Sequence, residues 1–141
     1  MPLDGHISEI IRTAHTIAVV GASPKSYRPS NGVARYLMEQ GYEVIPINPK
    51  HDMILGVRAH PDLVAAREVE GPIDIVDIFR ATEHVLPHVQ EAIEITTKLI
   101  WMQVGVVNKE ASLLAEAAGI PVMMDRCLRV AHADVKRQRR P

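Results

Sequence analysis

The chain lacks most of what a secreted, membrane-spanning or nucleic-acid-coating protein needs. Its single cysteine, Cys127, cannot close an internal disulfide, so a reducing, cytoplasmic setting is the expectation. The first residues, MPLDGHISEI, carry neither the basic start nor the long apolar stretch of a secretion signal. No apolar run approaches the roughly 18 residues that cross a bilayer, which argues against a membrane-inserted protein. Aromatic residues make up 4% of the chain, so the core must be built from Val, Ile, Leu, Ala and Met. Such a core suits helices packed on a parallel sheet. Charge of one sign is also scarce: 16 Lys and Arg face 17 Asp and Glu. That balance removes the global positive field of non-specific nucleic-acid binders and speaks against a nucleic-acid partner.

What is present is a foldable composition, 47% hydrophobic and 23% charged over 141 residues. This is enough for one domain with a real core and too short for two, so the expectation is a single domain over residues 1–141. A joint recurs along it, in which a helical pattern ends in Gly and a strand-like run follows. RYLMEQG leads into YEVIPI, LVAAREVEG into PIDIVDIF, and LLAEAAG into IPVMM, with Gly41, Gly71 and Gly119 placed where a helix end accepts positive φ. The reading predicts helices near Ser8–Ala14, Gly32–Gln40, Leu63–Val69, Pro87–Thr97 and Lys109–Ala118. Strands are predicted at Ile17–Gly21, Glu43–Ile47, Ile73–Phe79, Leu99–Gln103 and Pro121–Met124, with a short one at Val57–Ala59. From Arg126 onward a last helix is expected, fraying into the basic run KRQRRP (136–141), read as a solvated tail.

The strand-like runs are short, β-branched and not strictly alternating, as parallel strands buried on both faces are. Their βα rhythm predicts an α/β fold, a Rossmann-like doubly wound open parallel sheet of about five strands with helices on both faces. Pro87 fits the first turn of its helix. Pro46 conflicts with an inner strand, so one neighbour of that strand should pair along only part of it.

In such a sheet, ligands bind beyond the C-terminal strand ends, beside the first strand. The loop there, GASPKSYRPSNG (21–32), departs from G-x-G-x-x-G: Gly21 is present, but Ser23 and Ser26 occupy the next glycine positions. It places Ser23, Lys25 and Arg28 ahead of a helix N-terminus, which favours an anion such as a phosphate or pyrophosphate. The bland alternative is a solvated loop with Ser30 as helix cap. After the second strand an NAD site wants an acidic residue for the ribose. Here stand Asn48, Pro49 and Lys50. An amide and an ammonium suit a ribose that carries a phosphate, as in NADP and coenzyme A.

The stretches VVGAS (19–23), VIPINPK (44–50), VDIFR (76–80), IWMQVGVVN (100–108) and MDRC (124–127), in this order and spacing, resemble the small stand-alone CoA-binding proteins. Their domain is similar to the N-terminal domain of the succinyl-CoA synthetase α subunit, and the matching stretches run from the first strand to the last. The resemblance implies coenzyme A bound across the strand ends. Gly21, Ala22 and Ser23 would lie at the pyrophosphate, Asn48, Pro49 and Lys50 near the adenosine phosphate, Phe79 and Arg80 along the cofactor, and Gln103 and Gly105 near the pantetheine. The synthetase carries its phosphorylated histidine on a further domain, so this chain is not expected to be a complete ligase.

Among possible catalytic groups, Cys127 is the candidate nucleophile, flanked by Arg126 and close to a helix start. The common role of a lone cysteine is a packed thiol. A reversible mixed disulfide between Cys127 and the coenzyme A thiol is a testable alternative. His84 and His88 have i, i+4 spacing, but Pro87 interrupts the helix between them, so no metal site is expected. Asp74 and Asp77 should face opposite sides of the sheet, which argues against an acid/base pair, and Asp125 reads as a helix cap. The leading reading is a CoA or acyl-CoA binding module, a sensor or accessory protein, rather than an enzyme. A homo-oligomer or a protein partner is compatible with it. The alternatives are an NADP-dependent oxidoreductase or redox sensor using the same pocket, and an interaction domain with a vestigial pocket. Lys25, Arg28, Lys50, Arg80 and Arg126 all follow strand ends, which favours one phosphate-bearing ligand.

Overall fold

The computed structural model describes residues 3–138. Helix α1 (Gly5–Thr13) starts at Asp4, whose carboxylate accepts from the His6 and Ile7 N–H groups, and leads into β1 (Thr16–Val20). Then follow α2 (Pro29–Glu39), β2 (Glu43–Ile47), a small hairpin of β3 (Met53–Ile54) and β4 (Val57–Arg58), and α3 (Leu63–Glu70). A further strand, β5 (Ile75–Ile78), runs into a single 3-10 turn (Thr82–His84) and α4 (Val85–Glu94). The chain continues through β6 (Leu99–Met102), α5 (Lys109–Ala117), β7 (Val122–Met123) and α6 (Leu128–Gln138).

Five strands form one parallel sheet in the order β2-β1-β5-β6-β7, and the hairpin stands apart from it. The strand order reverses between β1 and β5, which makes the space beyond their C-terminal ends the switch point of the sheet. Every residue of β1, β5 and β6 is buried, which explains why these runs show no polar alternation. Ala18, Val20, Val76, Ile78, Ile100 and Met102 face α3, α4 and α5. Ile17, Val19, Ile75, Leu99 and Trp101 face α1, α2 and α6. The expected doubly wound architecture with helices on both faces is therefore present.

The joint glycines Gly41, Gly71 and Gly119 have φ of 97°, 90° and 82°, so the three helix-to-strand turns form as their sequences require. Pro87 is the third residue of α4, inside its first turn, where a missing N–H costs little. Pro46 resolves differently from the inner-strand expectation, because β2 is the edge of the five-stranded sheet. Glu43 donates its N–H to His15 and Ile47 accepts from Gly21, so these alternate residues bond β1. Pro46 faces the other way, its carbonyl accepting from the His60 N–H, and its missing donor falls on the open side.

Three local expectations are corrected. Helix α2 begins at Pro29, not near Gly32, with Pro in the first helical position and Arg28 as cap residue. Ser30 lies inside the helix and is buried, so it is not the cap. Of the basic run at 136–141, Lys136 to Gln138 continue α6, and residues 139–141 lie outside the described residues. Asp74 precedes β5 and serves structure: its carboxylate accepts from the His15 N–H at 2.8 Å and the Thr16 N–H at 3.1 Å, with the Lys98 ammonium at 3.3 Å. Burial disfavours its charge, but these donors outweigh it and hold the carboxyl below its ordinary range. Among the described residues, no helix is long and apolar enough to cross a membrane.

Candidate functional site

A cavity of about 910 Å³ opens at the C-terminal ends of β1, β2, β5 and β6. Its floor is laid by Gly21, where φ is +83° and an added Cβ would stand 2.2 Å from the Phe79 carbonyl oxygen. Only glycine lets β1 turn out of the sheet this close to the end of β5. The chain then runs as a loop through Ala22, Ser23 and Lys25 to Arg28 and enters α2.

Two asparagines hold this loop. The Asn48 amide donates to the Ala22 carbonyl at 2.8 Å, while its own side-chain oxygen accepts from the Lys50 N–H at 2.8 Å. Asn31 is buried in the first turn of α2 and donates to the Ser23 carbonyl at 2.9 Å. The Ser23 hydroxyl accepts from the Lys25 N–H. These side chains shape the backbone, and Ser23 and Asn48 also line the cavity. Gln103 behaves likewise: it is buried, and its side-chain oxygen accepts from the Leu128 N–H at 3.0 Å, capping α6.

The far rim hangs on His60. Its carbonyl accepts from the Asn48 N–H, and its buried ring lies with Nε2 2.8 Å from a Glu70 carboxylate oxygen at the end of α3. Pro49, Lys50, His51 and Pro61 line this side.

Of the residues singled out from the sequence, all but two line the cavity. Gly21, Ala22, Ser23, Lys25 and Arg28 come from the first loop, Asn48, Pro49 and Lys50 from the second, and Phe79, Arg80, Gln103 and Cys127 from the later strand ends. Gly105 and Arg126 do not line it. The Gly105 N–H donates to the Asp125 carboxylate at 2.7 Å. Arg126 is fixed through its backbone, donating its N–H to Met102 and accepting from the Trp101 indole at 2.8 Å. Asp125, with φ of 56°, thus holds the Gly105 turn and is not the cap of α6. The lining also contains Val33, His51, Val104 and Val106, which the sequence reading did not name, and Ser30 and His88, which it considered as a helix cap and as a metal ligand. Pro29 before Ser30 was an available signal for the early helix start. Nothing in the spacing announces His88, which α4 brings in from the side.

The lining has two characters. Lys25, Arg28, Lys50 and Arg80 supply positive charge, and the first turn of α2, which no side chain caps among the described residues, lines the same space through Pro29 and Ser30 with its dipole favouring an anion. Val20, Val33, Val104 and Val106 make the remainder apolar. Such a cavity suits an anion that carries an apolar arm. Residues 15–133 match the family model described as CoA binding domain. The chain belongs to the CoA-binding domain family. It is 41% identical over 135 residues to Uncharacterized protein YneT of Bacillus subtilis (strain 168), covering 96% of this chain and 98% of that one.

Among solved structures, this CoA-binding domain is similar to a hypothetical protein from Pyrococcus horikoshii OT3, with 36% identity, a TM-score of 0.88 and 96% of each chain covered. It also resembles part of a dinucleotide-forming acetyl-coenzyme A synthetase of Ca. Korarchaeum cryptofilum. There the TM-score is 0.68 at 23% identity, over 82% of this chain and 27% of that one, a likeness of fold.

Proposed function

We propose that this CoA-binding domain binds coenzyme A or an acyl-CoA in the cavity at the β1/β5 switch point, as a sensor or accessory module in the cytoplasm. The observation that carries the reading is the convergence of Lys25, Arg28, Lys50 and Arg80 with the uncapped α2 N-terminus on one cavity, in a chain of this family. Coenzyme A bears a pyrophosphate, a ribose phosphate and a long, less polar pantetheine arm, and the two characters of the lining match these parts. In this reading the close approach at Gly21 admits the pyrophosphate beside Ala22 and Ser23. Lys50 serves the ribose phosphate, with Asn48 and Pro49 shaping its turn. Arg80, whose side chain stands beside Gly21, serves the same pyrophosphate, and Phe79 and Val106 accompany the arm toward Gln103 and Cys127.

A binding role fits the way the polar side chains are used. Asn31, Asn48, Gln103 and Ser23 hold backbone, and cations, two histidines and one thiol stand in the lining beside them. The cations recognise charge without requiring chemistry.

Calorimetric or thermal-shift titration with coenzyme A, dephospho-CoA, NADP and NAD tests the reading, because a ligand that binds the native state raises its stability by mass action. The expected result is stabilisation by coenzyme A that weakens when the 3′-phosphate is removed. Stabilisation by NADP alone would overturn it in favour of an oxidoreductase or redox sensor.

A further inference from the structure

His88 stands near the start of α4 and lines the cavity. Its Nδ1 is buried and has no hydrogen-bond partner among the described residues. The Glu91 carboxylate, one turn further along α4, lies 3.9 Å from Nδ1, outside hydrogen-bonding distance. The side chain is 25% exposed, and His88 lines the cavity. His88 is therefore an imidazole with one nitrogen walled off beside a carboxylate and its outer edge turned to the ligand space.

The charges around it come from several elements. Arg80 approaches from the end of β5 and His84 from the 3-10 turn, while Glu91 shares α4. Glu91 is in turn influenced by Asp62, the cap of α3, and by Glu94. Lys25, Arg28, Lys50 and His51 line the same cavity. Burial first, and then the charges of Arg80 and His84, push the His88 pKa down, so the empty site disfavours the imidazolium.

We propose that His88 contacts the phosphate of an anionic ligand bound beside Arg80, and that binding draws one proton from solvent onto its ring. This rests on the reading of the cavity as a coenzyme A site and adds its pH dependence. An anion at Arg80 offsets the guanidinium charge that disfavours imidazolium and adds a negative charge of its own. The proton gained lets both nitrogens donate, Nε2 to the phosphate and Nδ1 toward Glu91 after a small approach. No bond other than N–H forms, and the proton comes from the buffer.

The sign follows from linkage. The ligand raises the pKa of His88 above its value in the free protein, so the gain in affinity is full below the free-protein pKa. It is lost as pH rises through the higher, ligand-bound one. Between the two, affinity for coenzyme A changes by up to about tenfold per pH unit.

Isothermal titration of coenzyme A, run between pH 6 and 8 in buffers of different ionisation enthalpy, measures the uptake directly. The expected result is net proton uptake in the wild type that is smaller in His88→Gln and unchanged in His15→Gln, an exposed histidine before β1 that does not line the cavity, the difference cancelling any titration of the ligand. NMR of the His88 ring with and without coenzyme A reads the same shift in the wild-type chain and does not depend on the variant folding. Absence of saturable binding would remove the coenzyme A reading and this inference with it. Saturable binding with equal uptake in wild type and His88→Gln, or with the His88 titration unmoved, would overturn this inference alone.

Discussion

Asp77 sits in the middle of β5, the central strand, between Val19 of β1 and Trp101 of β6. It is fully buried, and neither carboxyl oxygen has a hydrogen-bond partner among the described residues. It alternates with Val76 and Ile78, which face α3 to α5, so its side chain points to the opposite layer. Burial pushes its pKa well above the ordinary Asp value, because a charged carboxylate here would be desolvated with nothing to compensate it. The folded protein therefore keeps a proton that the unfolded chain has released near its ordinary pKa. Between those two pKa values the native state binds more protons than the unfolded one, so stability falls as pH rises, by about 1.4 kcal/mol per pH unit. Asp77→Asn keeps the shape and removes the titration. Urea unfolding at pH 5, 6, 7 and 8 should show a variant progressively more stable than the wild type toward high pH, with m unchanged. Asp74, whose depressed pKa acts in the acid range with the opposite sign, is common to both proteins and cancels in the difference. Parallel pH profiles for the two proteins would show that the carboxyl is not held protonated, and the reasoning from burial would fail.

Gly21→Ala should lose about 3 kcal/mol or more in urea unfolding. A left-handed alanine and a Cβ set 2.2 Å from the Phe79 carbonyl oxygen force β1 and β5 apart; a loss under about 1 kcal/mol would mean that the strand ends yield easily. Asn48→Ala removes the 2.8 Å bonds to Ala22 and Lys50. It should cost about 1–3 kcal/mol, with faster hydrogen exchange at the Lys50 amide and weaker coenzyme A binding. Unchanged exchange there would exclude Asn48 as the tie of the loop. Incubation with CoA disulfide should place one CoA on the chain, as the Cys127 thiolate attacks the disulfide and releases one CoA thiolate. Intact-mass measurement checks this, and an adduct that survives in Cys127→Ser, or none on the wild type, would count against a thiol facing the bound cofactor.

The legible part of the fold was the part built from local signals. Gly41, Gly71 and Gly119 mark helix ends because each must take positive φ, and β1, β5 and β6 read as buried strands because both of their faces are covered. The conflict at Pro46 was visible, but its resolution depended on which strand lies at the edge, and no local property of EVIPI states that. The site divided in the same way. Residues directly after strand ends could be named, because a parallel sheet brings those ends to one side. Their structural roles could not, since nothing local says that Asn48 also ties Ala22 and Lys50 or that Gln103 also caps α6.

By itself, the sequence determined the alternation of helix and strand, the family, and the collection of positive charge at the strand ends. These follow from residue type, periodicity and motif order, which are properties of neighbours along the chain. Only the tertiary structure decided that β2 is an edge, that Arg126 and Gly105 stand outside the cavity, and that Asp77 is buried without a partner. It also decided that His88 joins Arg80 at the cavity wall. Each of these depends on which distant segments pack together, and so on desolvation and through-space charge that no local pattern records.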